Sequence, residues 1–226
     1  MCDTDSDTTT VDVTDGCCGV NAQKTKAGGG SGHWLGEAGL DQRLPDDLRT
    51  ALGRFFGVES VDTLAEWSEQ IHRQTGGGSI DVDQLCHTDE ETDHWGEVTG
   101  DRHHFRCFYD AIILAALENE PIDVHTVSPD GVVIEAHAVG NEELSVDPET
   151  AVFSLGIGLE AHEESGGDPT LQDSYAAICP YVKAFADRDA YDTWADAVPA
   201  ATVATPMSGA TAFARALTTE GDDEQK

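Results

Sequence analysis

Phe105-Arg106-Cys107-Phe108-Tyr109-Asp110-Ala111-Ile112-Ile113-Leu114-Ala115-Ala116-Leu117 carries one thiol and one carboxylate at the head of an apolar run. The run is rich in Ala, Leu and Ile and has no polar face, so it reads as a buried helix. Helical positions three apart share a face, which points Cys107 and Asp110 the same way. A cysteine acts as nucleophile or metal ligand only as a thiolate. A carboxylic acid half-buried among apolar groups holds its proton to higher pH and can donate it. Thiolate and acid together make a reaction centre. The same two residues also read as a buried structural cysteine beside an acid that favours the helix dipole.

A second thiol extends the pattern. Cys179 lies in Tyr175-Ala176-Ala177-Ile178-Cys179-Pro180-Tyr181-Val182-Lys183-Ala184-Phe185-Ala186-Asp187, with Arg188 to Trp194 following. This segment resembles the second cysteine region of the organomercurial (alkylmercury) lyases: an apolar residue, Cys, an extended stretch through Phe185-Ala186, then a helix bearing Trp194. Cys107 to Asp110 resembles that family's C-x-x-D at the start of its central helix. The resemblance runs from about Phe105 to Ala216. It implies that Cys107, Asp110 and Cys179 are catalytic, with Cys107 and Cys179 binding mercury as thiolates. Asp110 would help to deprotonate a thiol and then protonate the departing carbon. It also implies a reaction with no bound cofactor, an organomercurial substrate, and small thiols or a mercuric reductase as acceptor of Hg(II). Soft thiolates do select soft metals. The chain departs from the family in having Pro180 where some relatives carry another cysteine, Arg106 where an aromatic is familiar, and Val127-Ser128 in place of a structural cysteine.

The 226 residues include 44 acids and only 12 Lys and Arg, for a formal net charge of −32. The acids run from Asp3 to Glu224 between apolar segments that can pack. Such a surface suits high salt, where screening suppresses self-repulsion, and a haloarchaeal-type cytoplasm is the simplest source. An acidic interaction protein is the alternative. The charge opposes binding to nucleic acid or to an anionic membrane. No stretch approaches the ~20 apolar residues of a membrane span. No signal peptide is visible, so the six cysteines read as reduced thiols of a cytoplasmic protein.

Residues 1–32 read as a flexible arm ending in Gly28-Gly29-Gly30-Ser31-Gly32 and holding Cys2, Cys17 and Cys18. Cys17 and Cys18 either relay a soft metal or are exposed thiols without a role. Leu44 to Phe56, stopped by Gly57, and Val61 to about Arg73 read as helices, with Leu64, Trp67 and Ile71 in the core. Cys86-His87, His94 and His103-His104 raise the question of zinc, but no paired C-x-x-C or H-x-x-x-H is present. Ile122–Val127 and Val132–Val139 read as strands about a Pro129-Asp130-Gly131 turn, and Ala151–Ile157 as a third, central strand. His125 and His137 read as strand side chains. Glu160 to Thr170 reads as an acidic loop, Asp187–Ala197 and Ser208–Thr218 as helices, and Gly221 to Lys226 as a frayed end.

The expected architecture is α+β: a helical, winged-helix-like N-terminal region over 33–100, then a lyase-like catalytic domain over 101–220 with a mixed or antiparallel sheet packed with helices. The expected activity is cleavage of carbon–mercury bonds by protonolysis. The rival is a soft-metal protein that holds or delivers Hg or Cu through the same thiolates.

Overall fold

The computed structural model describes residues 32–36, 39–161 and 168–219. The arm with Cys2, Cys17 and Cys18, the expected frayed end and the middle of the acidic loop lie outside the described residues. The elements in chain order are β1 (His33–Trp34), α1 (Asp46–Phe56), α2 (Leu64–Gln74), β2 (Trp95–Val98), β3 (Asp101–His104) and α3 (Tyr109–Glu118). There follow β4 (Pro121–Val127), β5 (Val133–Val139), β6 (Glu143–Asp147), β7 (Val152–Gly158) and α4 (Leu171–Ile178). The chain closes through β8 (Ala184–Phe185), α5 (Arg188–Ala195), β9 (Ala200–Pro206) and α6 (Ala210–Thr218). This is an α+β fold, as the sequence indicates.

Both N-terminal helices start and stop where local chemistry directs. Asp46 and Asp47 occupy the first turn of α1, and Gly57 ends it with φ +69°, a conformation that costs glycine nothing. The Thr63 hydroxyl caps α2 by accepting the Glu66 N–H at 3.2 Å, while the Glu66 carboxylate accepts the Asp62 N–H at 2.6 Å. Leu64, Trp67 and Ile71 are buried, as their helical spacing predicts.

The strands form two sheets. Five run in the order β3-β2-β4-β5-β6, and all their pairings are antiparallel. Four run in the order β1-β9-β7-β8, with β1 parallel to β9 and the others antiparallel. The β4–β5 hairpin and β7 lie where alternation and apolar run place them. β7 is interior to its sheet and buried from Val152 to Ile157. Strands β1, β2, β3, β6 and β9 and helix α4 are additions to the sequence reading. β9 is Ala-Ala-Thr-Val-Ala-Thr-Pro, a poor strand former by composition that pairing with β7 on one side and β1 on the other holds extended. The β2–β3 hairpin is short and polar and turns through Thr99 and Gly100, both at positive φ, the backbone of a tight primed turn.

Helix α3 is the centre of the core. Tyr109 through Ala115 are all buried, because α3 packs on β2, β4 and β5 and on α6. At Gly96 of β2 an added Cβ would lie 3.1 Å from Ala111 Cβ, so glycine permits the close approach of helix and strand. The Tyr109 ring stacks on Phe153 of β7, centroids 5.5 Å apart, and its hydroxyl donates to the Ala210 carbonyl at 2.6 Å. Phe213 lies 6.0 Å from Tyr109 and 5.9 Å from Trp67. That aromatic chain ties α2, α6, α3 and β7 together around the start of α3. Among the described residues no helix is long and apolar enough to cross a membrane.

Candidate active site

The start of α3 fixes the first two groups. Cys107 lies two residues ahead of the helix and Asp110 is in its first turn, so the pair straddles the helix start instead of sharing a face within it. The result is still contact: the Cys107 thiol donates to Asp110 Oδ2 at 3.1 Å, and both residues are 3% exposed. Helix N-termini favour negative charge, and the Tyr109 backbone N–H is directed at the Cys107 sulfur.

Cys179 reaches the same point from the C-terminal end of α4. It closes helix α4, whose Thr170–Asp173 capping box starts it, and opens a 3-10 turn, Cys179–Tyr181. Pro180 sets the backbone of that turn. The turn is fastened to β7 by Ser154, which is fully buried. The Ser154 hydroxyl donates to the Tyr181 carbonyl at 2.8 Å and accepts the Lys183 N–H at 3.1 Å. One ligand atom from each of Cys107, Asp110 and Cys179 lies within 4.8 Å of the others. All three residues are buried.

Burial governs the protonation of this cluster. Desolvation holds the Asp110 carboxyl above the ordinary carboxylate range, and hydrogen bonds from Cys107 and from the Cys86 N–H only partly offset it. The Cys179 thiol contacts Cys107 and Cys86, and those contacts together with burial hold its own proton tightly. Its hydrogen bond to Cys107 favours a Cys107 thiolate, but burial and the Asp110 charge prevail and hold Cys107 above the ordinary thiol. Several negative charges cannot share so apolar a space. A soft cation entering the cluster reverses that balance, because a thiol that coordinates the metal releases its proton to a nearby base.

A cavity of about 70 Å³ opens beside the three groups. Apart from them its walls are almost wholly apolar, with Trp67, Ile71, Ile113, Leu155, Phe213 and Leu217 among them. The site thus joins thiols and an acid to a hydrocarbon-lined space. A family model described as MerB, alkylmercury lyase, matches residues 87–219, more than half of the chain. The chain belongs to the alkylmercury lyase family. No curated protein sequence matches it. Among solved structures, the crystal structure of the mercury-bound form of MerB2 is similar, with a TM-score of 0.44 and 14% identity over 77% of this chain and 91% of that one. Cys107, Asp110 and Cys179 all fall inside the span that matches the alkylmercury lyase model, and Cys86 falls immediately before it.

The Cys86 and histidine set considered for zinc is dispersed among other partners. His87 contacts the Val82 carbonyl, His94 the Thr126 hydroxyl and His104 the Thr92 backbone. Cys86 is instead buried, its backbone N–H donating to Asp110 Oδ1 at 3.2 Å. Three residues of this neighbourhood were not legible as such: Cys86, Ser154, and Tyr175, whose hydroxyl donates to the Gln84 carbonyl and so fastens α4 to the segment before Cys86. A buried cysteine after Leu85 was the one signal available for the first.

Proposed function

We propose that this protein is an organomercurial lyase that cleaves carbon–mercury bonds by protonolysis. Cys107 and Cys179 take the mercury atom as thiolates. Asp110 takes a thiol proton and delivers it to the carbon, which leaves as hydrocarbon while Hg(II) stays on the two sulfurs. The overall change is RHg⁺ plus two thiols giving Hg(II) dithiolate, RH and one proton, with mercury divalent throughout. Holding acid, sulfur and mercury in contact supplies the proximity, and the positioned acid the proton transfer. The apolar cavity receives the organic group. No bound cofactor enters.

The observation that carries the reading is the meeting of Cys107, Asp110 and Cys179, their ligand atoms within 4.8 Å of one another, beside an apolar cavity inside a chain of this family. On this reading the Hg(II) passes to small thiols or to a mercuric reductase. The excess of acids fits a halophilic, cytoplasmic member. The test is hydrocarbon release from methylmercury and phenylmercury at molar salt with excess thiol, followed by gas chromatography. Methane or benzene well above the protein-free rate is expected. Uptake of Hg(II) without hydrocarbon would overturn the lyase and favour the soft-metal carrier.

A further inference from the structure

We propose that Tyr175 is a positioning residue for the acid. By holding the Gln84 carbonyl it fixes the Cys86 backbone N–H on Asp110 Oδ1, and so keeps Oδ2, the oxygen that exchanges the proton, turned to Cys107. The proposal deepens the lyase reading and rests on it for the proton transfer.

A carboxyl group does not orient itself. Its terminal torsion is broad and roughly twofold, so rotamer preference leaves the two oxygens free to exchange places. Hydrogen bonds decide instead. Asp110 Oδ1 accepts the Cys86 N–H at 3.2 Å, and Oδ2 accepts the Cys107 thiol at 3.1 Å. An amide N–H only donates, so Oδ1 stays an acceptor and the acid proton is left to Oδ2. Asp110 is 3% exposed, and little solvent reaches it to substitute for either partner.

The N–H is only as fixed as the segment that bears it, and the peptide groups on both sides of it are held. Before it, the Gln84 carbonyl accepts the Tyr175 hydroxyl. After it, the Cys86 carbonyl accepts the Arg106 N–H at 3.2 Å. Upstream, Asp81 and Gln84 close a capping box over the 3-10 turn Val82–Gln84. Tyr175 is itself bonded at two points. Its carbonyl accepts the Cys179 N–H one helical turn on, its hydroxyl reaches Gln84, and its half-buried ring lines the cavity. One residue thereby links the backbone of a proposed mercury ligand to the donor that orients the acid.

The path of the proton needs that orientation. As the Cys107 sulfur bonds to mercury, its S–H bond breaks and an O–H bond forms at Oδ2. That O–H bond then breaks as the proton passes to carbon and the carbon–mercury bond opens. Oδ1 keeps the Cys86 N–H throughout. With that bond loosened, the carboxyl turns about Cβ–Cγ and carries its proton on either oxygen, of which one faces the sulfur. Transfer between held groups is sensitive to such turning, a misplacement of about 1 Å costing up to about 10²-fold in rate.

The experiment compares the full chain with its Tyr175→Phe variant, which loses the hydroxyl and keeps the ring. The first measurement needs no substrate. Infrared difference spectra against Asp110→Asn, taken at mildly acidic pH, isolate the carbonyl stretch of the Asp110 acid, which a hydrogen bond to Oδ1 lowers. Tyr175→Phe is expected to move that band to higher wavenumber and broaden it; an unmoved band would overturn the proposal. Should Tyr175→Phe fail to fold, Asp81→Ala decides by the same band, since it opens the capping box from an exposed position outside the cavity wall and α4. The second measurement is single-turnover release of methane from methylmercury. Tyr175→Phe should slow it about ten- to a hundredfold with the affinity for HgCl₂ unchanged. A hydroxyl that only satisfies packing would lower the folded fraction and leave the rate per folded molecule as it was, which would also overturn the proposal. Absence of methane from the wild-type chain sinks the lyase, whereas the infrared band still reports whether Tyr175 orients Asp110.

Discussion

Cys107 and Asp110 stand three positions apart and touch, thiol to carboxyl oxygen at 3.1 Å, across the first turn of a helix with no exposed face at that end. The contact gives the proton a short path between sulfur and oxygen. Asp110→Asn keeps the shape and one acceptor oxygen but loses the transferable proton. Turnover of methylmercury should fall by about 10²- to 10⁴-fold, while titration with HgCl₂ still finds a tight site. Cys107→Ser and Cys179→Ser should lose both properties. Equal turnover by Asp110→Asn and wild type would make Asp110 a helix-terminal residue only.

Ser154 should matter for the placement of Cys179. Its hydroxyl is bonded to the backbone on both sides of Val182. Ser154→Ala leaves the Lys183 N–H and the Tyr181 carbonyl with one partner fewer, at a cost of about 1–3 kcal/mol measurable by urea denaturation. Turnover should fall more than the folded fraction does, because the Cys179 turn loosens. Loss of stability with unchanged turnover per folded molecule would confine Ser154 to packing.

The pair Cys107–Asp110 was legible because its contact is local, spanning three residues, although it forms across the start of α3 and not on a face within it. Helices α1 and α2 were legible through Pro45, Gly57 and the spacing of Leu64, Trp67 and Ile71. Two sheets were not, since β9 is written in Ala and Thr and becomes a strand only through its neighbours. Cys86 and His87 raise the question of zinc without a paired motif to carry it, and the structure sends the two apart: Cys86 is buried and His87 exposed, as successive residues of an extended backbone face opposite ways. What brings the Cys86 segment beside Asp110 and α4 is the Asp110 and Tyr175 bonding, which spans 24 and 91 positions and leaves no local pattern.

His94 should set part of the acid sensitivity. Burial, then the charge of Lys183, and to a smaller extent His125, hold it at about 4, against the opposing effect of Asp93. Its Nδ1 lies 2.7 Å from the Thr126 hydroxyl. Between its folded value and the unfolded 6.5, the unfolded chain binds the extra proton, so stability is complete above that range and declines as pH falls toward 4. Allowing for partial exposure to screening solvent, the decline attributable to His94 is about 1–2 kcal/mol. His94→Gln should flatten the denaturation midpoint between pH 6.5 and 4 relative to wild type; parallel profiles would refute the assignment.

The cavity should limit the organic group. Its volume, about 70 Å³, is well below the roughly 150 Å³ at which an apolar cavity admits benzene. A methyl group fits as the walls stand, and a phenyl ring requires them to move. Leu217 lies on α6 in the cavity wall and is 5% exposed. Leu217→Ala removes wall without touching sulfur or acid. The ratio of kcat/KM for phenylmercury to that for methylmercury should rise about tenfold, the scale on which a pocket discriminates small hydrocarbon differences. The substitution should also lower stability by about 2–5 kcal/mol, so the comparison belongs at a temperature and salt where circular dichroism finds both proteins folded. Taking the ratio within one protein cancels any common loss of active molecules. An unchanged ratio would mean that the organic group does not lie against Leu217, and that the hydrocarbon of the substrate leaves the sulfur cluster in another direction.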